Sequence, residues 1–419
     1  MAGKTIAEKI LSIKSGTEAE AGRVAVATID VLMGNDTKMP SALSVLRSMD
    51  WKGHMHTERL VIVVDHFVPP AEERRSNEQM AMREFARKHD IPFYDAGAGI
   101  AHQVLMEKGY VLPGTIVLGT DSHCTTYGAL NAFGTGISST ELVGALINGY
   151  IWLKVPETIK VELKGSLPAG VYAKDVILEI IGLIGLTGPA EYRAIEFTGA
   201  GLQSLELEER FTLCNMAVEM GVKVGLMEAD DKAINWLRGR ARGPFEPVAP
   251  DPDAAYKAVY QLDLGSMVPL VAAHPSIDNL KPASELGAIS IHQAFIGTCC
   301  NGRLSDLRAA SQILKGREIH PDVRLYVGPA SREVYLAALK EGIVESLSRA
   351  GAIILPPGCG PCAGLTGSSI PASGQRMIST SNRNFPGRAG AEGVEVYLAS
   401  PATVTASAIR GAITDPREL

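Results

Sequence analysis

Short runs rich in β-branched residues alternate with helical stretches along this chain, and no other feature constrains its fold as tightly. LVIVV (60–64) precedes a helical run from Glu72 to Lys88, and TIVL (115–118) precedes a Gly-rich apolar region reaching Tyr150. AFIG (294–297), RLYVG (324–328) and AIIL (352–355) are separated by helical segments such as SREVYLAALKEG. Parallel strands need a crossover between them, usually a helix, so this alternation predicts α/β layers with mainly parallel sheets. With 419 residues and about 150 per domain, two or three domains are expected. GRARGPFEPVAPDPD (239–253), rich in Pro, Gly and Asp, is the expected surface loop or linker between an N-terminal two-thirds and a C-terminal third.

Four of the strands run straight into small polar or ionisable residues. LVIVV ends at Asp65-His66, TIVLGT at Asp121-Ser122-His123, AFIGT at Cys299-Cys300-Asn301, and AIILPPG at Cys359-Gly360-Pro361-Cys362. In open α/β sheets the loops beyond the carboxyl ends of strands form the binding crevice. Four such ends predict one composite site assembled from distant stretches of sequence.

Composition narrows the class of function. Lys plus Arg number 40 against 46 for Asp plus Glu, a net charge of −6, so the basic excess of a nucleic-acid binder is missing. The first residues, MAGKTIAEKILSIKSG, repeat apolar positions at helical spacing and carry charges inside the run, unlike a signal peptide. VILEIIGLIGL (176–186) is too short to span a bilayer. Six cysteines are too few for a disulfide framework, and their clustering points to redox or metal chemistry in a reducing compartment. A cytoplasmic protein with neither nucleic acid nor membrane as partner is expected.

Three readings compete for Cys299, Cys359 and Cys362. CGPC (359–362) is the string of a thioredoxin-type dithiol, although little chain follows it and Gly358 stands in place of the usual Trp. A structural zinc site would need a fourth ligand, from Cys300, Cys124 or a His. An iron–sulfur cluster on three thiolates would leave one iron open as a Lewis acid. Burial as a plain apolar side chain suits Cys214 in FTLCNM and suits the Gly/Pro-flanked pair poorly.

Other side chains extend the chemistry. Asp65-His66 and Asp121-Ser122-His123 place imidazoles beside carboxylates, which fix the tautomer and raise the imidazole pKa. Asn215 and Glu219, four residues apart, fall on one helical face. Arg383 and Arg388 in NRNFPGR suit bidentate binding of carboxylates, and a chain of net charge −6 needs such local positive charge to hold a dianion.

FIGTCCNGR (295–303), PPGCGPCAG (356–364) and LGTDSHCTTYGA (118–129) together resemble the aconitase superfamily. VVDHF (63–67), GAGIAHQVLMEKG (97–109), CNMAVEMG (214–221), STSNRNFPGR (379–388) and YLASPATVTASAI (397–409) extend the match, in order, over nearly the whole chain. The nearest branch is that of the isopropylmalate dehydratase large subunits and their homoaconitase-like relatives. The resemblance implies three-layer α/β/α subdomains around a central cluster cleft. Residues 1–284 would form an N-terminal region of two subdomains, and 285–419 a C-terminal subdomain carrying the cysteines. The mobile fourth (swivel) domain of single-chain aconitases is expected to be lacking, its place taken by a separate small subunit.

By the same resemblance Cys299, Cys359 and Cys362 hold a [4Fe-4S] cluster whose fourth iron takes a substrate hydroxyl and carboxylate. Asp65, His66, His102, Asp121, His123 and Glu219 are implied as catalytic residues. Ser122, Asn215, Asn382, Arg383 and Arg388 are implied as substrate contacts, with Asn215 and Glu219 bonded to the iron-bound water or hydroxyl. The chain departs from the family pattern at Cys300, in TCCNGR for the usual SCTNGR, and at Cys124 and Asn131, where Thr and Gly are usual. These departures are expected to alter substrate fit or mark a divergent branch. The implied activity is a hydro-lyase that dehydrates and rehydrates a hydroxy-di- or tricarboxylate, with isopropylmalate in leucine biosynthesis as the leading substrate. Homoaconitate, citramalate-type, dimethylmalate and maleate chemistry are alternatives within the class. A zinc-stabilised non-catalytic binding protein and a CGPC disulfide oxidoreductase are alternatives outside it.

Overall fold

The apolar runs Leu60–Val63 and Ile116–Gly119 are buried at every position, the signature of strands covered by helices on both faces. They lie in the computed structural model, which describes residues 3–364 and 369–419, in a five-stranded parallel sheet ordered Phe93–Tyr94, Leu60–Val63, Val31–Asn35, Ile116–Gly119, Phe133–Gly136. A second parallel sheet is ordered Val224–Met227, Ala194–Thr198, Thr158–Lys164, Ala258–Asp263. A seven-stranded sheet runs Leu280–Pro282, Leu270–Ala272, Glu395–Ala399, Arg376–Ser379, Gln293–Ile296, Arg324–Val327, Ile353–Ile354. Only its first two pairings are antiparallel. The α/β layering with mainly parallel strands is as the sequence predicts. Among the described residues no helix is long and apolar enough to cross a membrane.

Local signals explain the helices that matter for the site. The expected N-terminal helix forms over Ile6–Ser15, with a capping box between Thr5 and Glu8 and Gly16 in the left-handed region at its end. Met1 and Ala2, the start of that run, lie outside the described residues. The helix expected from Glu72 to Lys88 spans Glu73–Lys88.

One expectation is corrected. Residues 239–253 are irregular as anticipated, but they do not link two-thirds of the chain to the last third. The strand that follows, Ala258–Asp263, returns to pair with Thr158–Lys164 in the second sheet. The excursion is pinned by Asn131, whose Nδ2 donates to the carbonyls of Met227 (2.8 Å) and Val248 (2.9 Å) while its Oδ1 accepts from Val248 N (2.7 Å). Asn131 has φ +61°, a left-handed conformation that Gly or Asn adopts with least strain. It therefore does the backbone's work of a glycine and adds three hydrogen bonds.

The Gly-rich stretch after Ile116–Gly119 folds as a buried 3-10 helix of nine residues, Ser122–Leu130, longer than such helices usually run. It lies hard against the second sheet: a Cβ on Gly128 would fall 1.5 Å from the Gly225 carbonyl oxygen. Only glycine permits that approach.

Candidate active site

The four strand ends marked in the sequence meet at one cleft. The turn after Leu60–Val63 is shaped by buried Asp36, whose carboxylate accepts from the backbone N–H groups of Asp65 (3.2 Å), His66 (3.0 Å) and Phe67 (2.9 Å). Cys359 N donates to Asp65 O at 2.8 Å, which brings the turn after Ile353–Ile354 onto the same spot. A cavity of about 310 Å³ opens there, lined by all three predicted cysteines, by His66, His102 and His123, and by Asp121, Ser122, Asn382, Arg383 and Arg388. Asp65, Asn215 and Glu219 do not line it; each stands behind a residue that does.

Asp65 Oδ1 bonds His66 Nδ1 at 2.6 Å, and its Oδ2 accepts from Ala101 N at 2.8 Å. Burial alone would depress His66, yet Cys359 and Asp65 hold its imidazole well above the ordinary pKa. Asp121 Oδ1 accepts from His123 N (2.9 Å) and meets His102 Nε2 at 3.0 Å. Burial opposes its ionisation, but His102 and His123 hold the carboxyl well below its usual range. His123 Nε2 lies 2.9 Å from Glu219 Oε1. Against the effect of burial, Asp121 and Glu219 raise the His123 pKa.

Arg383 Nε reaches both Glu219 oxygens, and its NH2 group donates to Ser122 Oγ at 3.1 Å. Asn215 sits behind Asn382, bonded to its Nδ2 and to Thr126 Oγ1. The helix carrying Asn215 stops at Ala217, and Glu219 falls in a 3-10 turn, Val218–Met220. Glu219 meets His123 and Arg383 while Asn215 meets the adjacent Asn382, so both point to the same turn, as i, i+4 spacing predicts.

The cysteine readings separate here. Cys299, Cys359 and Cys362 are free thiols on the same cavity. Burial pushes the Cys359 thiol up to about 12, and Cys299 well above its usual value. Such thiols stay protonated until a metal cation takes the proton's place. Cys300 turns away from the cavity, its Sγ between Lys174 Nζ (3.4 Å) and Asn301 Oδ1 (3.1 Å). Of the two cysteines in TCCNGR, Cys299 is the one that lines the cleft. Cys124 is buried against Gly119 and Met33, a core packing position rather than a substrate contact. CGPC occupies a short 3-10 turn, Gly360–Ala363, without the α-helix N-terminus that lowers a dithiol pKa.

Several residues that build the site gave no signal in the sequence. Asp36 is one. Arg303 is another, fully buried, with NH2 donating to Cys299 O at 2.6 Å and NH1 to Cys300 O. Its place inside the CCNGR string was the only pointer. Thr298, just before Cys299, holds φ +77°, a strained value for a β-branched residue, which costs on the order of 1–3 kcal/mol. A larger cavity, about 700 Å³, lies under the 242–249 segment. Its lysines, Lys9 and Lys14, are already paired with Asp251 and Asp30.

Comparison with other proteins agrees with this geometry. The model of the aconitase family (aconitate hydratase) matches residues 8–279 and 273–411. The chain is 49% identical to the 3-isopropylmalate dehydratase large subunit 1 of Methanopyrus kandleri, over 99% of each chain. It is 46% identical to the large subunit 1 of Thermotoga maritima and to the large subunit 2 of Archaeoglobus fulgidus, again over 99% of each. Among solved structures, the holo-form of Thermococcus kodakaraensis aconitase X matches in fold, with TM-score 0.50 and 13% identity over 90% of this chain and 88% of that one. With cysteines, histidines and arginines brought to one cleft in the order the family motifs require, the chain belongs to the aconitase family.

Proposed function

We propose that this chain is the large subunit of a hydro-lyase that interconverts 2-isopropylmalate and 3-isopropylmalate through an unsaturated intermediate, a step of leucine biosynthesis. The reading rests on three thiols sharing one cavity with His–carboxylate pairs and arginines. The chain is also alike over 99% of its length to proteins named 3-isopropylmalate dehydratase large subunit. Three cysteines without a fourth on the cavity fit a [4Fe-4S] cluster, which Cys299, Cys359 and Cys362 would hold. When bound, that group supplies Lewis-acid polarisation of a substrate oxygen.

The rest falls to this chain's side chains. Dehydration removes a weakly acidic proton beside a carboxylate and expels hydroxide, so it needs groups that hold protons on both sides of the substrate. His66, charged through Asp65, is suited to deliver a proton to the leaving oxygen. His102 lines the cavity, its Nδ1 buried and without a partner among the described residues. Arg388, whose Nε is likewise unpartnered, and Arg383 with Ser122 and Asn382 would bind the carboxylates. His123, Asp121 and Glu219 would keep this frame charged, with Asn215 supporting Asn382.

A small subunit would close the cleft and complete the substrate site, in a cytoplasmic enzyme. In this reading 1–284 and 285–419 are the two regions, the hairpin 270–282 of the first completing the sheet of the second. The test is iron and acid-labile sulfide per chain after anaerobic purification, followed by 2-isopropylmalate turnover with and without the cognate small subunit. About four of each, with turnover only in the complex, is expected. Zinc without sulfide, or full activity from the lone chain, overturns the reading.

A further inference from the structure

The first turn of helix Ala173–Ile184 carries a lysine that solvent does not reach: Lys174 is 0% exposed. Its Nζ donates to the carbonyl oxygens of Thr380 (2.9 Å) and Ser381 (2.7 Å) and to Cys300 Sγ (3.4 Å). Three acceptors match the three donors of an ammonium group. The partners are carbonyls and a thiol rather than a carboxylate, and a buried charge held this way is costly to keep. Its Cα is fixed by Asp175, which caps the helix through Tyr172 N (2.8 Å) and also accepts from Leu270 N (2.8 Å).

What the ammonium joins gives it a purpose. Thr380 and Ser381 immediately precede Asn382 and Arg383, and Cys300 immediately follows Cys299. The two turns touch elsewhere, where Thr380 Oγ1 accepts from Gly297 N (3.0 Å) and donates to Gly297 O (3.1 Å). Across the cleft floor Asn382 Nδ2 lies 3.9 Å from Cys299 Sγ. Arg303 grips the Cys299 turn by its carbonyls, and among the described residues Lys174 reaches from the Cys300 side chain to the backbone just before Asn382 and Arg383.

We propose that Lys174 is a positioning residue, a buried cationic strut that sets the carboxylate-binding turn Asn382–Arg383 against the cysteine turn at Cys299. Substrate carboxylate and the group held by the cysteines are thereby presented at one fixed separation. The inference rests on the proposed function. A lysine that served only the core would lower the amount of folded protein and leave the substrate parameters of the folded fraction unchanged.

The experiment uses the full chain in complex with its small subunit, with iron and sulfide measured on every preparation. Wild-type turnover of isopropylmalate is read first, and its absence overturns the functional reading together with the inference built on it. With turnover in hand, Lys174→Met is expected to keep the wild-type iron and sulfide content while KM rises at least tenfold and kcat falls less. A double-mutant cycle with Arg383→Lys decides whether the effect passes through that arginine. Losses that fail to add support the strut; wild-type KM in Lys174→Met, or fully additive losses, overturn it. If Lys174→Met does not accumulate, Lys174→Arg, which keeps the charge and displaces its carbonyl partners, enters the same cycle: non-additive losses support the strut, and wild-type KM or additive losses overturn it.

Discussion

Arg383 meets Glu219 through a single nitrogen, Nε, 3.0 Å and 2.8 Å from the two carboxylate oxygens. This cleft-lining arginine is thus already half engaged, and its NH2 group leans on Ser122. Glu219 in turn holds His123. One buried carboxylate therefore orients both a guanidinium and an imidazole of the cleft, the two residues proposed above to bind a carboxylate and to keep the frame charged.

Glu219→Gln should leave the fold intact, since the amide is isosteric, while both partners lose their charged anchor. A fall in kcat/KM of roughly 10²–10⁴-fold is expected, the size of a lost acid–base component. Steady-state kinetics of the complex with 2-isopropylmalate checks it; a fall of less than tenfold would reduce Glu219 to packing.

The charge state of this network sets a pH window. Glu219 and Asp121 have depressed pKa values in the folded protein, each against the effect of burial, so what they contribute is lost as pH falls through those lowered values. His123 is raised, so its contribution is full below about 6.5 and lost as pH rises through the raised value. A plateau in kcat/KM is expected between the lowered carboxylate values and the raised His123 value. Glu219→Gln removes one cause of the raised His123 pKa and should shift the alkaline limb to lower pH.

The cysteines give a composition test. Cys299→Ser, Cys359→Ser and Cys362→Ser should each lose iron and sulfide on purification, while Cys300→Ser keeps them, because Cys300 faces Lys174 and Asn301. Metal analysis of the four variants is sufficient. Iron retained in Cys299→Ser but lost in Cys300→Ser would reverse the assignment.

Asn131→Gly keeps the backbone conformation and removes three buried hydrogen bonds. The expected cost is about 1–3 kcal/mol, seen as a lower denaturant midpoint with KM for substrate unchanged. A changed KM at unchanged stability would return Asn131 to the substrate pocket.

The strand ends were legible because each couples two local signals, a β-branched run and an abrupt polar stop, and because CGPC and TCCNGR are short, unusual strings. The 239–253 segment was legible as a loop only. Its return to the second sheet depends on Asn131, more than a hundred residues away in sequence, and no local pattern carries that. Glu219 was legible through its spacing from Asn215, although the helix tightens into a 3-10 turn after Ala217. Asp36, Lys174 and Arg303 were invisible for a common reason. Each is a single buried charge held largely by backbone atoms, near in sequence for Arg303 and distant for Asp36 and Lys174, and a lone charged residue in sequence is indistinguishable from a solvated one.

The seating of Ser122–Leu130 against the second sheet, where Gly128 touches the Gly225 carbonyl, has a mechanical meaning. His123 rides on a segment wedged between two layers, so any hinge that parted those layers would scatter the groups that hold protons. The frame has to behave as an anvil. On the proposed function, admission of substrate would then belong to the small subunit over the cleft, and the pace of opening could change without retuning the residues beneath it.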